Sequence, residues 1–519
     1  VIKQSCYAKN NFGKQREHKF NNQRNFFTQE GISLQHHPTD AMHQTMRFRL
    51  FDTITVVFLI GILCQHGIFA QQKGAKSSKK SSEKPALPPS GPQGQSKGQQ
   101  KTQNNSSIVI DNNQQTIKIG MNLVESDPLD LPQWRAAQLA VEEINAAGGV
   151  LGKKLDLVVA SSPNKQYDKV YPGMKRLIDS GVTCLIVPDG SELTIKAANL
   201  TVVRDVLMVA TSSTSPEVTS LKDNDLVWRT SPSDIFQGRV VAELLDSMRF
   251  KTAAVIYIDN SYGNGLFTNF RDAFVKKGGA VSSAIKYPSM TTYRDYDFKA
   301  KLDSLYKSKP QAVYVISDIE DGIKITMQSQ IYGFFTKEYK PQLIGCDANY
   351  SNDFLFAANP SVIEGMLGLS YVRPQNYPNH EKFLTRFKKY LVDSKDSSNY
   401  AFNVLDGLVD AETMDTYAST AYDAVYVIAL AITKANSVVA AEVAKNMRLI
   451  ANNTTQAEMI NPNEFAKGAA SLQKGKRINY TGASGPVEFD EKGDVTGGSY
   501  TVWRVSKGRY TVTRVISFP

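Results

Sequence analysis

The sequence predicts an α/β protein of two lobes, each a mainly parallel sheet covered by helices. Three observations carry this. From Thr116 onward, short apolar runs alternate with amphipathic segments of helical period. The alternation comes in two consecutive runs, which gives two lobes. The apolar runs also end in polar tips, and open α/β sheets bind ligands beyond the carboxyl ends of their strands.

The first run opens with the strand "IKIGMN" (117–122). The helix "PQWRAAQLAVEEINAAGG" (132–149) follows, with Trp134, Ala137, Leu139, Val141 and Ile144 near one face and Gly148-Gly149 as its stop. Trp134 reads equally as core or as pocket rim. Then come strand "KLDLVVA", helix "KVYPGMKRLIDSG", strand "TCLIVP", helix "ELTIKAANLTVVRD" and strand "VLMVAT". The second run repeats the pattern: strand 252–259, helix 264–277, strand 280–287, helix 296–308, strand 312–317, helix 321–333 and strand 342–347. Heptads and short repeats are absent from the sequence.

Upstream the texture differs. "MRFRLFDTITVVFLIGILCQHGIFAQQ" has two arginines, an apolar core from Thr53 to Leu63 and a small residue at Ala70, the three-part pattern of a secretory signal peptide over 46–70. Residues 1–45 read as an extension outside the native protein, Met46 or Met42 being the expected start. Residues 71–115 are rich in Pro, Gly, Gln, Ser and Lys and read as a disordered linker. These segments hold most of the net charge of +10: they carry +4 (1–70) and +5 (71–115), while 116–519 carries only +1. Nucleic acid is therefore not an expected partner.

The rare residues exclude further classes. Only His380 of six histidines, and only Cys184 and Cys346 of four cysteines, follow residue 115. A histidine-based zinc site or a Ser/His/Asp or Cys/His catalytic set cannot be assembled from one histidine. No metal and no cofactor are expected; an enzyme would have to work through a carboxylate pair across the cleft without histidine, and none is expected. Cys184 and Cys346 read as small strand hydrophobes, and Glu320-Asp321 as a solvated helix start.

The polar tips are "DGSE" (189–192), "TSSTS" (211–215), "NSYGNG" (260–265), "SDIED" (317–321) and "CDANY" (346–350). Hydroxyls and free amides suit a carboxylate, acidic side chains suit an ammonium, and an aromatic ring covers the rest. The inventory suits a small zwitterion. Five hydroxyls in a row, Thr211 to Ser215, also suit a helix-capping loop ahead of Pro216-Glu217.

The stretches "AVEEINAAGGVLGKKLDLVV" (140–159), "VLMVATSSTSPEVT" (206–219), "VWRTSPSDIFQG" (227–238), "YGNG" (262–265) and "GPVEFDEKGDVTG" (485–497), in this order, resemble the type I periplasmic binding proteins of the branched-chain amino acid branch. The resemblance spans 116–519. It implies two Rossmann-like lobes joined by a three-strand hinge, the Venus flytrap fold. Lobe one is then 116–231 with 372–483 and lobe two 232–371 with 484–519, with crossings near Ser231, Val372 and Ser484. By the same resemblance Ser191, Ser212, Ser213 and Thr214 hold the ligand's carboxylate. Tyr262 closes over the ligand, Asp347 takes the ammonium, and Asp318 adds a contact from the second lobe. The implied function is an extracytoplasmic, monomeric binding protein that passes an amino acid or similar solute to the permease of an ABC-type importer. The alternative is a bilobed sensor of a small amide, acid or peptide fragment that signals to a protein partner. Two departures bear on the ligand. Glu125 and Asp127 stand in a first loop where the family has a small Ser/Thr-Gly turn, and Gly190 stands where many relatives have a paired cysteine.

Overall fold

The computed structural model describes residues 116–518 apart from 290–294, 373–375, 396–416 and 453–454. The expected signal peptide, extension and linker lie outside the described residues. The first sheet consists of β1 (Thr116–Val124), β2 (Lys154–Ser162), β3 (Cys184–Val187), β4 (Leu207–Ala210) and β5 (Val227–Arg229), all parallel, in the order β2-β1-β3-β4-β5. Its connections are α1 (Asp130–Ala146), α2 (Tyr167–Asp179), α3 (Ser191–Val203) and the short α4 (Pro216–Thr219). The runs "CLIV" and "LMVA" are buried at every position, as strands covered on both faces must be.

The chain then enters the second lobe through α5 (Asp234–Ser247). Strands β6 (Thr252–Asp259), β7 (Ala280–Pro288), β8 (Ala312–Ile316), β9 (Gln342–Gly345) and β10 (Leu367–Val372) form a parallel sheet in the order β7-β6-β8-β9-β10. Helices α6 (Ser261–Lys276), α7 (Lys299–Tyr306) and α8 (Ile319–Ile331) connect them, with α9 (Asn352–Ala357) and α10 (Pro360–Ile363) short pieces before β10. Each lobe thus has its first strand between its second and third. That arrangement creates a switch point at which the loops diverge and leave a crevice.

The chain returns to the first lobe with α11 (Pro378–Asp393), α12 (Ala418–Ala435) and α13 (Ala440–Ala451). A small parallel pair follows, β11 (Glu458–Ile460) and β12 (Ile478–Tyr480), with α14 (Phe465–Gln473) between them. Every residue of α12 from Ala418 to Ile432 is buried in the first core. No single described helix is long and apolar enough to cross a membrane. Finally β13 (Gly498–Ser506) and β14 (Arg509–Phe518) add antiparallel to β10.

The third crossing differs from the expected Ser484. Asp423 of α12 accepts hydrogen bonds from the Ala483 and Ser484 amides (2.7 and 2.8 Å) and from the Ser484 and Tyr480 hydroxyls (both 2.6 Å). Val487, Phe489 and Val495 then pack in the first lobe's core. The chain is held on the first lobe until about residue 495, and only β13 joins the second sheet. Asp321 is a second correction: it is fully buried rather than solvated. Cys184 and Cys346 are buried and unpaired, and Trp134 packs against the first core.

Candidate functional site

A cavity of about 350 Å³ opens between the strand-end loops of the two lobes. The first lobe contributes Ser191, Ser212 and Thr214, and the second Tyr262, Asp318 and Asp347. Tyr417, immediately before α12, completes the wall.

The hydroxyl run sorts by backbone geometry. Thr211, Ser213 and Ser215 are fully buried, whereas Ser212 and Thr214 line the cavity. Alternate side chains of the run thus turn to opposite sides of the loop. The inward three serve the fold. Thr211 donates to Gln133 Oε1 at 2.5 Å, and the Ser213 and Thr194 hydroxyls pair at 2.6 Å. Ser215 caps α4 by accepting from the Glu217 amide, and it donates to the Ser261 carbonyl of the second lobe. The carbonyls of Ser213 and Ser215 accept from Nη1 of the buried Arg229, at 3.2 and 2.9 Å. Arg229 itself is clamped by both oxygens of Asp494, at 2.5 and 2.7 Å. With its carbonyls drawn inward, the loop keeps its amides available: no described residue accepts from the amides of Ser212, Ser213 or Thr214.

Helix α3 points its N-terminus at the same place. Its N-cap is Gly190, which supplies no side-chain cap, and Ser191, Glu192 and Leu193 of its first turn reach the cavity. An uncapped helix start with free N–H groups is an anion site. Opposite it, Asp347 accepts from the Tyr262 hydroxyl (2.6 Å) and Gln237 Nε2 (3.1 Å) on one oxygen, and from the Tyr417 hydroxyl (2.8 Å) on the other. Its orientation is fixed by three donors, one of them from the other lobe. Burial, with Asp347 next, holds Asp234 behind the loop well above the usual carboxylate range.

Residues 134–508 match the family model described as the receptor family ligand binding region. The chain belongs to the type I periplasmic binding proteins of the branched-chain amino acid branch. It is a solute-binding protein of that family and not an enzyme. The leucine-, isoleucine-, valine-, threonine- and alanine-binding protein of Pseudomonas aeruginosa is 26% identical over 376 residues, 72% of this chain and 85% of that one. A leucine-binding protein structure from Thermotoga maritima superposes with a TM-score of 0.60 at 22% identity, covering 77% of this chain and 98% of that one. The isoleucine complex of a branched-chain amino acid transporter substrate-binding protein from Streptococcus pneumoniae gives 0.59 at 20%, covering 78% and 99%.

Within this fold, six of the seven expected contact residues line the cavity. The exception is Ser213, whose side chain turns away to Thr194 while only its amide stays on the loop. Asp347 is no helix cap, since Ser351 caps α9 instead. Asp318 stands at the N-cap of α8 without capping it, facing the cavity. Of the two acids in the first loop, Glu125 accepts from Ser161 outside the cavity, and Asp127 enters it.

Several lining residues were not among the expected contacts, Lys165, Asp189, Leu129 and Tyr417 among them. Lys165 follows β2 and pairs with Asp127 at 2.6 Å. Burial would lower its ammonium, but Asp127 and Asp318 raise it well above an ordinary lysine. Asp189 is buried beside Asp130. Leu129 and Tyr417 add apolar surface. The strand-end rule applied to β2 would have found Lys165. Nothing in the sequence marks Tyr417.

Proposed function

We propose that this chain is an extracytoplasmic binding protein that captures an amino acid between its lobes and delivers it to the permease of an ABC-type importer. One observation carries the reading. A cradle of unclaimed amides and an uncapped helix start faces, across one cavity, a carboxylate oriented by Tyr262, Gln237 and Tyr417. That separation of donors and acceptor matches a zwitterion, with its carboxylate on the amides of Ser212 to Thr214 and the Ser191 end of α3 and its ammonium on Asp347. Ligand contacts on both lobes shift the chain toward the closed form, the form an importer would recognise. Secretion by the 46–70 segment and action as a monomer belong to the same reading.

The test is thermal unfolding of the purified chain against a panel of amino acids, amides and small carboxylates. A ligand at 100 times its Kd is expected to add about 2.7 kcal/mol of stability, and Asp347→Ala to remove that gain. A shift only with ligands that lack an amine would strip Asp347 of its role and favour the sensing alternative. That alternative also draws support from glutamate receptor 3.1 of rice, 22% identical over 397 residues, 74% of this chain and 40% of that one.

A further inference from the structure

We propose that the solute is an amino acid with a long side chain ending in a cationic nitrogen group, guanidinium or ammonium, received by Asp189 together with Asp127. The inference rests on reading the cleft as an amino-acid site. Sheet order supplies the length. The loops after β1, β3 and β4 lie side by side, because those strands are neighbours in that order. The carboxylate cradle spans the β3 and β4 tips. The β1 tip, with Asp127, is two strand spacings from β4, roughly 10 Å. That is the reach of a long, unbranched side chain running from the β4 tip to Asp127, past the β3 tip that carries Asp189.

Hydrogen-bond accounting supplies the chemistry. Asp189 lines the cavity at 3% exposure. Asp130 and Asn122 lean toward it, but no hydrogen bond of ordinary geometry reaches either of its oxygens. Asp130, 2% exposed, uses Oδ2 to accept from the Val124 amide at 2.7 Å and leaves Oδ1 without a donor. Both buried oxygens of Asp189 thus lack a well-placed donor, and such groups are costly unless something supplies a hydrogen. An aliphatic tip supplies none and would also strip water from the Asp127–Lys165 pair. An N–H-rich cation supplies several.

Charge leads to the same class. Each lysine of the cavity is already matched, Lys165 on Asp127 at 2.6 Å and Lys196 on Glu192 at 2.5 Å. With Asp347 facing the ammonium, Asp127, Asp189 and Asp318 have only Lys165 to share among them. Burial, with Asp127 next among the raising causes, pushes Asp189 up to about 7, so an arriving cation would draw a proton off this wall.

The deciding experiment is calorimetric titration of the full chain at pH 7 with L-lysine, L-arginine, L-norleucine, L-leucine and L-glutamate. Norleucine has the lysine side chain without its charged nitrogen. Lysine or arginine is expected to bind at least tenfold more tightly than norleucine and leucine. It should release protons, seen as a heat that changes with the buffer's ionisation enthalpy, and Asp189→Asn should erase the preference. Norleucine or leucine binding as well as lysine would overturn the inference and leave the amino-acid reading standing. Glutamate binding best would assign the wall to Lys165 and overturn it too. If none of the five binds, the amino-acid reading falls and the inference with it. The lysine–norleucine comparison needs no variant, so a misfolded Asp189→Asn cannot blur the result.

Discussion

Asp189 illustrates how a single residue is set against the stability of the fold that holds it. Its carboxyl is raised to about 7 by burial, against about 3.9 in an unfolded chain. A group whose folded pKa is raised keeps its proton in the native state while the unfolded state releases it. Stability from this residue therefore falls as pH rises from about 4 to about 7, and stays low above that. Asp189→Asn is expected to stabilise the ligand-free protein at pH 8, by on the order of 2 kcal/mol, and to change little at pH 4. Scanning calorimetry at both pH values checks this. Equal effects at both would show that the residue acts through packing instead. Within the hydroxyl run, residue identity was legible in the sequence but residue role was not. Thr211, Ser213 and Ser215 carry the same hydroxyl chemistry as Ser212 and Thr214, and only the folded loop decides which two line the cavity.

Among the elements, α3 shows most clearly how a helix becomes a binding group. Gly190 has φ 80° and ψ −178°, a region essentially closed to residues with a Cβ. A cysteine there would require a different turn. Gly190→Ala is expected to lower stability by about 1–3 kcal/mol and to weaken ligand binding at least as much, because the turn aims the α3 amides. Comparing the unfolding temperature with the titrated Kd checks both. Were binding unchanged in a destabilised variant, the α3 start would not hold the ligand. Element types were legible in the sequence because period and length settle them: the strands at 252–259 and 312–316 were visible as uninterrupted apolar runs. Element alliances were not. "VWRTSPSDIFQG" and "GPVEFDEKGDVTG" were recognisable as stretches of a family, yet what joins them is a buried ion pair, Arg229 with Asp494, 265 positions apart, beside the Arg229 amide on the Gly493 carbonyl and the Trp228 ring on Phe489.

At the scale of the whole molecule, the site exists only because two lobes meet. Tyr417 from the first lobe donates to Asp347 of the second across the cavity. Tyr417→Phe deletes one hydroxyl on a charged acceptor, and is expected to weaken ligand binding about tenfold, or about 1.4 kcal/mol, with an unfolding temperature of the free protein within a few degrees of the parent. An unchanged Kd would mean that Tyr262 and Gln237 orient Asp347 without help. By itself the sequence determined the two runs of alternating strands and helices, the absence of nucleophile–histidine chemistry, and the strand ends where ligand contacts belong. Those properties are local: each is written in a window of a dozen residues by hydrophobic period, turn chemistry or composition. Only the tertiary structure decided that the chain stays on the first lobe past Ser484, that Ser213 faces inward, and that Lys165, Asp189 and Tyr417 share one cavity with Asp347. These depend on which distant segments the sheet order and the lobe crossings bring together, and no local pattern encodes a cavity shared by residues 165 and 318 or a hydrogen bond between 347 and 417.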